Sequence, residues 1–424
     1  MKKLFVLPII AAGYLVNAQS IGNSPYAAFG IGDVKYDNTV DINSMGGVST
    51  AYIWDFNNSF NFSNPAANKN LGLTSFKVEG TNENNFFKSD YNDASSTKHS
   101  TYLSNISLAF PVSPKVKFGI GYQPYSSKKY EIVTEKKEEN GDITASSFRG
   151  EGGLNMIQAA LSYQISPEFA LGARSNFYFG NLYDINEVTA SNAELINGYE
   201  TRNKIKTFNF TLASAYQKAL AKDKKLTFGA TYTFGNTGQM ESTFKNSTYY
   251  YVVGQNKTNE SIIEERASED KNLIPMEVSV GAGLGKDGKW FAGTQVDYKK
   301  GEIVQYLGQP FAYQDSYKIS AGGWFIPNYN NFRSYFSRVT YRYGAYYEKG
   351  NLQLNGTDIN RFAVTGGMHF PFDSNSASRM SGIDLGLELG KRGTLENNLI
   401  NQNFINLRIG INFADKWFNK RLYD

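Results

Sequence analysis

Asp384 and Glu388 stand four residues apart in a segment, Ile383–Leu389, whose large apolar residues occupy alternate positions. On an extended strand the two carboxylates share one face. Paired carboxyls can share a proton and serve as acid and base. Arg338, Arg342, Arg361 and Arg408 fall on the corresponding face of nearby segments. With so many cations at hand, a structural ion network inside a closed sheet is the better reading, because buried charge must be paired. The two histidines, His99 and His369, lie far apart, and there is no cysteine. That removes thiolate metal sites, disulfides and cysteine nucleophiles, and leaves little for a histidine zinc site or a serine triad. Asp90 and Asp93, and the group Glu264, Glu265, Glu269 and Asp270, lack the spacing of a calcium loop. Gly281-Ala282-Gly283-Leu284-Gly285 lies in an alternating segment with no helix after it, so it is no phosphate loop. We read no catalytic residue, no metal and no cofactor. The formal charge of +4 across 424 residues gives no basic footprint for nucleic acid.

The elements that would position these residues describe a membrane wall. Residues 1–18 read as an export leader, with Lys2 and Lys3 before an apolar stretch and Val16-Asn17-Ala18 at the cleavage point. No later stretch is apolar for long enough to make a spanning helix. Period-2 alternation then recurs, as in Val116, Phe118, Ile120 and Tyr122 against Lys117, Gly119 and Gly121. Counting a weaker segment, Leu71–Gly80, about 14 such strands follow one another to Phe413. One face is aromatic and aliphatic, as lipid demands. The other carries Lys117, Arg174, Asp297 and the charges named above, which only a wet lumen tolerates. Connections alternate long (81–100, 126–153, 181–204, 236–274 and later) and short (Ser113-Pro114, Ser166-Pro167, Lys286-Asp287-Gly288). The predicted fold is all-β: a transmembrane antiparallel β-barrel over 71–413 in the outer membrane, surrounded by membrane lipid.

Residues 19–70 do not alternate. They are rich in Gly, Asn and Ser but also hold Tyr26, Phe29, Ile31, Tyr52, Phe60 and Phe62, an aromatic density foreign to disordered tails. A barrel this wide leaves a hole unless something fills it, so the segment is expected to be a plug in the lumen. Met45-Gly46-Gly47-Val48-Ser49 followed by Ser63-Asn64-Pro65-Ala66 resembles the N-terminal hatch of the FadL family of outer-membrane transporters, and the leader end with Ser24-Pro25-Tyr26 resembles its Bacteroidetes branch. The resemblance implies a 14-stranded barrel closed by its hatch, Gly46, Gly47, Asn64, Pro65 and Ala66 being the hatch motif. It implies passive uptake of hydrophobic small molecules such as long-chain fatty acids or aromatic hydrocarbons. It also implies a side window at the third strand, where Gly119, Gly121 and Pro124 are residues that bend or break strands. The alternative is a non-transporting barrel that serves a secretion or protein-assembly complex, with other outer-membrane or periplasmic proteins as partners. In that case Thr248–Val253 and the tail 414–424, with Trp417, Phe418, Lys420 and Arg421, would be docking surfaces; the tail could equally rest at the membrane interface.

Overall fold

The computed structural model describes residues 24–35, 38–53, 59–90, 93–139, 141–252, 257–306, 309–331, 333–372 and 381–416. The expected leader and most of the C-terminal tail lie outside them. The wall is one antiparallel sheet that closes on itself. Its strands, numbered by place in the wall, are β1 (Thr74–Ser89), β2 (Ser95–Pro111), β3 (Val116–Ser127, continued by Tyr130–Lys137), β4 (Ile143–Gln164), β5 (Phe169–Ala190) and β6 (Ile196–Leu220). Then come β7 (Lys224–Thr233, continued by Asn236–Tyr251), β8 (Lys257–Ile274, continued by Glu277–Lys286), β9 (Trp290–Lys299) and β10 (Ser316–Phe325). The last four are β11 (Thr340–Lys349), β12 (Arg361–Pro371), β13 (Gly382–Arg392) and β14 (Ile400–Asp415). β14 pairs with β1 from Thr74↔Asp415 to Ser89↔Ile400, which closes the ring. No helix among the described residues is long and apolar enough to cross a membrane; the crossing is made by strands.

The alternation sorts as lipid requires. Phe208, Phe210 and Leu212 are exposed on the outside, while Thr207, Asn209 and Thr211 between them are buried in the lumen. Leu385, Leu387 and Leu389 face out beside buried Asp384 and Glu388.

Much of what reads as long outer loops is strand. β4, β5 and β6 run 22, 22 and 25 residues, about twice the 9–11 that a bilayer requires. Above the lipid both faces of a hairpin meet water. The apolar-polar alternation therefore stops there while the backbone ladder continues, as in Thr144↔Ala190 at the head of β4 and β5. β1 likewise runs on to Ser89 rather than ending at Gly80.

Residues 24–35, 38–53 and 59–70 lie against the inner wall. They form a 3-10 turn at Pro25–Ala28, a two-residue strand at Asp33–Val34, a single helical turn at Val40–Asn43 and a second 3-10 stretch at Pro65–Asn70. Met45, Val48, Ala51, Ile53, Phe60 and Ala66 are almost wholly buried.

Candidate functional site

The plug is seated by side chains of both parties. Gly46 and Gly47 have positive φ (71° and 88°), a backbone that glycine adopts most readily. A Cβ on Gly46 would stand 2.8 Å from the Ala345 carbonyl oxygen of β11, and its N–H donates to Thr365 Oγ1 on β12 at 2.9 Å. Asn64 caps the stretch at Pro65–Asn70, its Oδ1 accepting from Ala66 N–H at 3.1 Å. Its Nδ2 donates to the Thr50 and Ser214 carbonyls at 2.6 and 3.0 Å. Pro65 and Ala66 press on Gly172 of β5, where a Cβ would come within 2.5 Å of Ala66 N. Gln295 Oε1 on β9 accepts from the N–H groups of Ser49 and Thr50, both at 2.8 Å. Arg174 Nη1 on β5 donates to the Phe62 carbonyl at 2.6 Å.

The charge network forms, with more members than its spacing suggested. Glu388 holds Arg408 at 2.7 Å and Arg361 at 3.1 Å. Asp384 holds Arg342 at 2.7 Å and His369 Nδ1 at 3.1 Å. Lys77 on β1, 1% exposed, reaches Asp41 of the plug at 2.8 Å, Glu79 at 3.0 Å and Asp384 at 3.4 Å. Glu79 Oε1 also accepts the Val40 N–H at the head of the plug's helical turn, at 2.9 Å. Burial alone would raise the Asp41 carboxyl, but Lys77 and Arg342 outweigh it and hold it below the usual carboxylate range. Nearer the outer end Asp33 of the plug pairs with Arg392 at 2.6 Å and with Lys35, which continues to Glu83 at 2.9 Å.

One expectation changes. Arg338 is not part of this network: it lies in a 3-10 turn, Phe336–Arg338, in the connection before β11, with its guanidinium over the Tyr335 ring at 5.5 Å. Of the two histidines, His369 is 3% exposed and bonded to Asp384, whereas His99 is exposed on β2 beside Asn84. Lys77 and Glu79 were legible in principle, since Lys77, Glu79, Thr81 and Glu83 repeat at period two. Asp41 was not, because the plug has no periodicity from which a facing direction could be read. Of the expected docking residues in the outer segment, Tyr249 is fully buried and donates to Glu187 Oε1 at 2.6 Å.

The third strand is where the wall is incomplete. β2 and β3 pair from Pro111↔Lys117 to Ile106↔Tyr122, and there the pairing ends. β2 runs on as far as Ser95 beside β1, and β3 continues beside β4. Gly119 and Gly121 are in the regular part of that ladder. They make room for the plug instead of bending the strand: a Cβ on Gly119 would be 2.8 Å from the Phe60 ring, and one on Gly121 3.2 Å from that of Phe62. The break comes at Pro124, which has no N–H to give, followed by a bulge between Pro124 and Ser126. Beyond it Ser126 and Ser127 pair with Val34 and Asp33 of the plug. Six ladder pairs at about 3.3 Å each, tilted by some 40°, climb roughly 15 Å. The gap therefore opens in the outer half of an apolar band about 25 Å tall.

Between plug and wall lies a lumen cavity of about 230 Å³. One side is lined by Tyr125, Tyr178 and Ile274, the other by Lys318, Arg361 and Glu388. The apolar side is continuous with buried Met156, Leu154, Leu182, Ile205 and Met240.

A closed 14-stranded antiparallel wall with an apolar exterior, a charged interior and an internal plug defines a plugged outer-membrane barrel. The model of the BamG family matches residues 1–424, and the chain belongs to that family. No curated protein sequence matches it. Among solved structures it is similar to the Pseudomonas putida toluene transporter TodX (TM-score 0.57, 14% identity, covering 90% of this chain and 99% of that one). A Pseudomonas aeruginosa FadL homologue matches with TM-score 0.59 and 10% identity over 90% and 99% of the two chains. The Ralstonia pickettii toluene transporter TbuX matches with 0.56 and 12% over 92% and 99%. At these identities the likeness is one of fold, and it is the FadL-type barrel fold.

Proposed function

We propose that this barrel lets small hydrophobic molecules cross the outer membrane passively, entering the lumen from outside and leaving sideways into lipid. The observation that carries the reading is the parting of β2 from β3 after Ile106↔Tyr122. Unpaired strand edges are costly at membrane depth unless they border protein or a cavity, and this gap borders the plug and the lumen. The apolar cavity side offers a surface for such a molecule. The fold neighbours that carry names as toluene transporters support the same reading. The test is uptake of radiolabelled toluene by cells with a lipopolysaccharide outer leaflet, with and without the protein. Uptake that rises with expression supports it; uptake equal to that of cells without the protein overturns it.

The outer hairpins favour a second reading, a subunit of an outer-membrane secretion or assembly complex, because small-molecule passage does not require strands of 22 to 25 residues. Purification in mild detergent separates the two: a stoichiometric protein partner would support this role.

A further inference from the structure

We infer that Tyr125 is the specificity-determining residue of the side passage, setting the width of molecule that leaves the lumen through the gap. The inference rests on the lateral-passage reading and deepens it. Tyr125 is the extra residue of the β3 bulge: Pro124 is opposite Asn155 and Ser126 opposite Leu154, and Tyr125 has no place in the register. A bulge of this kind re-aims a side chain away from the regular pleat. Here the ring lines the lumen cavity and meets the Tyr178 ring edge-on at 4.6 Å between centroids. It also packs against the two apolar clusters that contain Met156 and Ile274, and Leu154 and Met240. Its backbone is on the stretch of β3 that β2 has left, so one residue borders both the cavity and the gap.

The plug fixes this position. The Tyr125 carbonyl accepts the Lys35 N–H at 2.6 Å, and the next two residues pair with Val34 and Asp33. The Ser126 hydroxyl donates to the Ile31 carbonyl at 2.8 Å. Plug strand and bulge thus form one small ladder, and the phenol ring is carried on a backbone held from both sides. Aromatic rings are bulky and have few rotamers, so a held ring presents a fixed width. The glycines of the same strand cannot play this part, since they lie under Phe60 and Phe62.

The experiment compares uptake of radiolabelled toluene and phenanthrene by cells producing the native protein, Tyr125→Ala, Tyr125→Phe or Tyr125→Trp, each checked for heat-modifiable barrel mobility. Tyr125→Ala is expected to raise the phenanthrene-to-toluene uptake ratio severalfold, Tyr125→Trp to lower it, and Tyr125→Phe to leave it native. A purely structural role would lower both uptakes together and leave the ratio unmoved, which overturns the inference. If Tyr125→Ala fails to assemble, the Trp and Phe variants decide it on the same ratio. Native protein that takes up toluene, with ratios unchanged in assembled variants, refutes Tyr125 alone; native protein that takes up neither compound refutes the lateral passage as well.

Discussion

The two sides of this barrel are built to different rules. From β9 to β12 the strands are 10 or 11 residues long, as much as a membrane needs. From β4 to β6 they are twice that. The lumen differs to match. The wall from β11 round to β1 presents Arg342, His369, Asp384, Glu388, Arg408 and Lys77, and it grips the plug through Asp41. The tall side presents Leu154, Met156, Leu182 and Ile205 and meets the plug through hydrogen bonds, such as Arg174 to the Phe62 carbonyl, and not, among the described residues, through ion pairs to plug carboxylates. One side therefore grips the plug by charge and the other adds an apolar surface. The gap lies between these two kinds of wall, at β2 and β3.

The largest effect should come from breaking the charged anchor. Lys77→Met leaves Asp41, Glu79 and Asp384 facing one another around a lost cation, and stripping one partner from a buried ionic group costs about 3–5 kcal/mol. Limited proteolysis should then cut within residues 24–70 while the wall stays resistant. A plug as protected as the native one would remove the network from its anchoring role.

Next comes packing under the plug. Gly119→Val places methyl groups where the Phe60 ring stands, and overpacking of this kind costs about 1–3 kcal/mol. A lower thermal midpoint and a loosened plug are expected, and an unchanged midpoint would show that Phe60 can yield. Asn64→Ala removes the cap of the stretch at Pro65–Asn70, a loss of about 1 kcal/mol that should appear as a shifted urea midpoint.

Acid sharpens the same contrast. Asp33 is held below the ordinary carboxylate range: burial pushes it up, and Lys35 and Arg392 more than reverse that. Asp41 is held down in the same way by Lys77 and Arg342. A carboxyl with a depressed folded-state pKa contributes fully above its unfolded value of about 3.9 and loses that contribution as pH falls further. Protection factors of the plug amides, corrected for the intrinsic pH dependence of exchange, should therefore match between pH 7 and pH 5 and fall only below about pH 4. A fall already at pH 5 would point to another group.

The smallest effect is expected on the tall side. Replacing the head of the β7–β8 hairpin above Thr243↔Ala267 with an Asn-Gly turn should leave heat-modifiable mobility native, because that part lies above the lipid and the remaining ladder is intact.

How much of this was legible follows from where each segment sits. Alternation such as Phe208-Asn209-Phe210 exists because lipid and lumen solvate opposite faces, so the wall, its strand number and the inward Asp384 and Glu388 can be read directly from the chain. Above the bilayer that asymmetry vanishes, and the hairpin heads look like loops although their ladders persist. Arg338 matched the parity of its neighbours, but the chain turns into a 3-10 segment there before β11 begins, and parity means nothing outside a strand.

Composition and periodicity thus determined a greasy-outside, charged-inside cylinder and the presence of an aromatic-rich segment to fill it. Folding alone decided that Asp41 meets Lys77, that Gly119 lies beneath Phe60, and that β3 abandons β2 to pair with the plug. Those contacts join residues remote in the chain, and their partners are chosen by packing in three dimensions, for which no local repeat carries a record.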